Sequence, residues 1–102
     1  MTYILPKVQY ATPTTGQTVT VANTEADVRM IINPAGTLLA LTVAMPSTPY
    51  NGQKVEMAST QVVTTLTMTS GGTILGGLTS LAVNSFGTWT YYSPNTAWYR
   101  IS

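Results

Sequence analysis

In a chain of 102 residues, four basic and three acidic side chains make only 7% charged residues, against roughly 25% in an ordinary soluble domain. A formal net charge of +1, with no cluster of Lys or Arg, gives no electrostatic footprint for a polyanion, which argues against a nucleic-acid partner. Without His or Cys, the commonest general base, the thiol nucleophile and the usual zinc ligands are missing, and no disulfide supports the fold.

Twenty threonines point to β structure, because a β-branched side chain suits a pleated surface better than a helix. No stretch keeps apolar residues at the i, i+3, i+4, i+7 spacing of a helix, and no apolar run approaches the ~20 residues of a membrane-spanning one. The opening MTYILPKVQY lacks the basic region and small-residue cleavage site of a signal peptide. Residues 1–10 read as either an extended N-terminal arm or an edge strand, with Tyr3, Ile4 and Leu5 as its apolar contacts. Strands are expected over residues 3–8, 18–21, 28–32, 37–45, 53–58, 62–69, 78–83, 88–92 and 98–101. Between them NPAG, PSTPYNG, SGG, NSFG and SPN supply the Gly, Pro and Asn of chain reversals. The expectation is one all-β domain over residues 1–102, an antiparallel, jelly-roll-like β-sandwich.

Residues 53–58 alternate Gln, Lys and Glu with Val55 and Met57, the pattern of a half-solvated strand. Residues 37–45 differ. Leu39, Leu41, Val43 and Met45 would share one face, and Leu38, Ala40, Thr42 and Ala44 leave the other without a charge. Such a strand is expected to be covered on both sides, by the opposing sheet and by either another subunit or a segment of the same chain. Over 62–69, Val62, Thr64, Leu66 and Met68 would form one face and Val63, Thr65, Thr67 and Thr69 the other. No repeat of fixed period stands out.

No residues assemble into a catalytic or metal site. Glu25 and Asp27 are too few for a calcium loop and read as a solvated turn with Arg29 nearby. Lys54 and Glu56 read as an exposed charge pair. GGTILGG lacks the Lys and the following helix of a phosphate loop, so it reads as a bent strand or a tight turn with structural glycines. The sequence therefore predicts no enzyme, no cofactor and no metal. GTWTYYSPNTAWYRIS gathers Trp89, Tyr91, Tyr92, Trp98 and Tyr99 around a turn. These rings either close the core as cross-strand pairs or form a platform for a carbohydrate.

Thr42–Ser59 (TVAMPSTPYNGQKVEMAS), then TTLTMTS, TILGGLTSLAV and the ending TAWYRIS, resemble a recurrent β domain of tailed-bacteriophage virion proteins. There an apolar strand runs into Met-Pro, a Pro-containing turn leads to Gly-Gln and an alternating strand, and the chain closes near Trp-Tyr-Arg-Ile. The resemblance spans residues 37–101. It implies a capsid decoration or cement protein located in the virion and assembled in the host cytoplasm. Its partners would be itself, as a homotrimer, and the major capsid protein or other virion proteins, with neither nucleic acid nor membrane. The alternative it implies is a head- or tail-fibre domain that binds host cell-surface glycan through the Trp89–Tyr99 cluster. No catalytic residue is carried over.

Overall fold

The computed structural model describes residues 5–102 and is all-β among them, with nine strands and one 3-10 turn. The strands are β1 (Lys7–Ala11), β2 (Thr18–Thr20), β3 (Val28–Ile32), β4 (Leu38–Ala44), β5 (Lys54–Ser59), β6 (Val63–Thr69), β7 (Thr73–Leu75), β8 (Ser85–Tyr92) and β9 (Ala97–Arg100). They form a six-stranded sheet in the order β1-β3-β5-β8-β9-β7 and a three-stranded sheet in the order β2-β4-β6.

Up to β6 the chain alternates between the two sheets, so that every second strand returns to the same sheet in the same direction. Accordingly β1, β3 and β5 pair in parallel, and so do β2, β4 and β6. Parallel neighbours need a long crossover, and here the crossover is a strand of the opposite sheet. The result is a short, solenoid-like stack of three coils. The antiparallel, jelly-roll-like sandwich expected from the sequence is corrected to this extent: two sheets do enclose one core, but among the named strands antiparallel pairing is confined to β5 with β8 and β8 with β9. Hydrophobic alternation gives the same signature for both arrangements, because it reports which face is buried and not the direction of the neighbour.

Stacking puts like residues on like. Val28, Met30 and Ile32 of β3 lie beside Val55, Met57 and Ser59 of β5, and all six are buried. Across the core, Leu41 and Val43 of β4 lie beside Leu66 and Met68 of β6. Each large aliphatic side chain fully buried here contributes ~1.5–3 kcal/mol.

The alternation breaks at one place in both rungs. Leu38 and Leu41 point inward, as do Val63 and Leu66, and the pairs between them face out. The chain bends there, so Leu39 is 70% exposed and Leu38 is buried, the reverse of a strict two-residue period. For the same reason Val63, and not Val62 and Thr64, joins Leu66 in the core. The outer face of this sheet is a threonine and alanine ladder: Thr18, Thr42 and Thr67 share one row, and Thr20, Ala44 and Thr69 the next. Ala40, Thr42 and Ala44 are half-buried by these neighbours.

Two further expectations are corrected. Residues 78–83 form no strand; they meet β6 through the bridge between Leu81 and Val63 and through the Leu66 N–H, which donates to the Thr79 carbonyl at 2.8 Å. The reversal expected at NSFG is confined to its first residue: the chain turns over Ala82–Ser85 with Asn84 at φ 58°, and β8 then runs unbroken over Ser85–Tyr92, with Gly87 opposite Met57. That glycine is required, because a Cβ on it would lie 2.7 Å from Cη2 of Trp89, whose ring lies over the strand.

Candidate interaction surface

Trp89 and Trp98 are 0% and 1% exposed. Trp89 stands opposite Val55, and Trp98 pairs with Tyr91 across β8 and β9, their ring centroids 5.1 Å apart. Neither indole presents a ring face to solvent. Tyr91 and Tyr99 are half-buried, and Asn95 Nδ2 donates to the Tyr99 hydroxyl at 2.8 Å across the turn Ser93–Asn95. Of this cluster Tyr92 is the most open. Leu5 is exposed, whereas Tyr3 and Ile4 lie outside the described residues.

The residues that do gather on the surface come from the outer face of the six-stranded sheet. Register places Tyr10, Ile31, Ala58 and Phe86 in one row across four strands, and Val8, Arg29, Glu56 and Thr88 in the next. Phe86 is 66% exposed, and Val8 and Tyr10 are each 59% exposed. Between the bulky side chains the small Ala58 leaves the sheet low, and a groove of about 410 Å³ opens there, with Gly87 backbone in its lining. The exposed apolar surface is on the order of 400 Å², the size of the largest patch on a typical monomer, which is often functional.

This surface is held rigid. The Tyr10 hydroxyl accepts from Asn33 Nδ2 at 2.6 Å, and Asn33 Oδ1 accepts from the Thr60 hydroxyl at 2.6 Å, a chain that ties three coils together. Arg29 meets Glu56 of the neighbouring strand at 3.5 Å, both well exposed. Glu56 thus takes its partner from the next rung, not from Lys54. Asp27, expected in a solvated turn, accepts from the Tyr50 hydroxyl at 2.8 Å and from the Lys54 backbone N–H at 2.9 Å. Burial first, then the hydrogen bond to Asp27 and its charge, push the Tyr50 phenol up to about 12.

Among the described residues no group of three or more His, Cys, Asp or Glu could hold a metal, and no helix is long and apolar enough to cross a membrane. No protein-family model matches this chain, and comparison with curated proteins finds no match. The apolar row is hidden in the linear sequence because its members come from four strands. The available signal is Phe86 itself, an aromatic with no apolar partner two residues away.

Proposed function

We propose that this protein is a structural component of a tailed-phage particle, a capsid decoration or cement protein that acts by contact and self-associates, as its resemblance to virion β domains suggests. The observation that supports it best is the apolar row of Tyr10, Ile31 and Phe86 beside a groove, on a chain with only seven charges. Apolar surface held on a rigid sheet gains most when a partner removes it from water. Arg29 and Glu56 fall where a polar rim would sit.

The test is sedimentation and immunogold labelling of particles from a phage lysate containing the chain. The proposal expects the protein on the particle surface, and expects Phe86→Asp to leave the particles while keeping its β spectrum. Wild-type protein found only in the unsedimented fraction overturns the proposal.

A further inference from the structure

The N-terminal end of the coil leaves two strand edges, and they are treated differently. On β2, Val21 N–H donates to Ala44 in the neighbouring strand and Gln17 C=O accepts from Thr42, so Thr18, Thr20 and Ala22 direct their backbone groups outward. Gln9 reaches across from β1 to meet them. Its Nε2 donates to Thr20 C=O at 2.7 Å and its Oε1 accepts from Ala22 N–H at 3.0 Å. These are the two bonds that one residue of a further parallel strand would make. A side-chain amide therefore stands in for one residue of the missing strand and covers the Thr20–Ala22 end of the β2 edge.

The β1 edge has no such cover among the described residues. Lys7 N–H donates to Asp27 and Ala11 C=O accepts from Asn33, so the odd-numbered residues face β3 and Val8 and Tyr10 turn their N–H and C=O groups away from the sheet. Unpaired edge groups of this kind are a template for another strand. Pro6 has no N–H to offer, and Pro13 ends the stretch on the other side. The open window is thus centred on Gln9 and is the same read from either direction.

We propose that β1 is a self-pairing seam, in which two copies of this chain join antiparallel about a twofold axis at Gln9. Val8 exchanges both backbone hydrogen bonds with the second copy's Tyr10, and Tyr10 exchanges both with the second copy's Val8, four bonds in all. Pro6, which has no N–H, disfavours the register centred on Val8, where it would have to exchange both bonds with Tyr10. On the outer face each Val8 side chain then lies against a Tyr10 ring, a favourable β-branched to aromatic pair, with Tyr10 already fixed by Asn33. The two sheets become one, and the apolar rows of both copies lie on a single continuous face. Twofold symmetry makes such a contact self-complementary and closed. The inference rests on the proposed self-assembling role and specifies a dimer unit in place of the trimer suggested by resemblance.

The experiment is light scattering coupled to size exclusion over a micromolar series, on the full chain and on Val8→Pro, which removes an outward N–H that the fold itself does not use. The expected result is dimeric wild-type protein and a variant that is folded by circular dichroism but dissociates at concentrations roughly tenfold higher or more. Because the chain has no cysteine, a second measurement is independent of proline. Val8→Cys mixed with Tyr10→Cys should give a disulfide-linked heterodimer on mild oxidation, and either variant alone should not. An oligomer indifferent to Val8→Pro and giving no mixed disulfide overturns the seam and leaves the structural role standing. A monomer that still binds particles overturns self-pairing alone, whereas a monomer that binds none overturns both.

Discussion

At the C-terminal end of the coil, two antiparallel strands roof the last rung with Trp89 and Trp98, both in the core. At the N-terminal end the first rung places Lys7, Gln9 and Ala11 above Val28, Met30 and Ile32, and closure falls to one glutamine amide. One end is closed by hydrophobic area and the other by hydrogen bonding. Area is cumulative and large, whereas each hydrogen bond nets about 0.5–1.5 kcal/mol after the exchange with water. A stack of coils needs caps at both ends, and the weaker cap is the one beside the open β1 edge.

Truncation should expose this asymmetry most strongly at the aromatic end. Trp89→Ala or Trp98→Ala is expected to cost ~3–5 kcal/mol, lowering the melting temperature by well over ~10 °C in a domain of this size. A thermal melt followed by circular dichroism reads it, and a loss of only a degree or two would contradict a core role for the ring removed.

A smaller and more local effect is expected from Gln9→Ala, about 1–2 kcal/mol for two lost hydrogen bonds whose backbone partners water can reach. Amide exchange sharpens the comparison. The Ala22 N–H should lose protection while Val55 and Met57, two rungs away, keep theirs. Equal loosening of both would mean that the amide supports the whole stack and not its end.

The smallest effect separates by pH. The Tyr50 phenol is raised from 10.0 to about 12 in the folded chain, so the fold favours its neutral form. Its contribution is complete below pH 10, where folded and unfolded chains both hold the proton, and declines as pH rises from 10 towards 12, because the unfolded chain ionises first. Denaturant titrations at stepped pH should show this decline in the wild-type protein and a shallower one in Tyr50→Phe.

Several elements are legible in the order of residues alone. The strand expected over residues 28–32 is β3 to the residue, because Val28, Met30 and Ile32 alternate with outward side chains and one face is buried. The turn Ser93–Asn95 follows from its proline and asparagine. The coil itself leaves only a faint trace. Val-Arg-Met at 28–30 recurs as Val-Glu-Met at 55–57, and Leu-Thr-Val at 41–43 recurs as Leu-Thr-Met at 66–68, each pair in register. Connections of unequal length between the rungs hide the period, so a search for a fixed repeat fails. Strand β7 lies within GGTILGG, which reads as either a bent strand or a tight turn; its entry depends on Gly72, where any Cβ would run into the Thr96 carbonyl oxygen.

Composition and alternation alone determine that this chain is β, poor in charge and without the His and Cys of common catalytic and metal sites, because those properties belong to each residue and its immediate neighbours. Strand direction, the bend that turns Leu39 outward, the gathering of Tyr10, Ile31 and Phe86, and the substitution of an amide for a strand at Gln9 belong to the tertiary structure. Each depends on which distant segment lies about 4.7–4.9 Å away in the ladder, and backbone hydrogen bonds, being alike at every residue, leave no mark of that choice in the order of side chains.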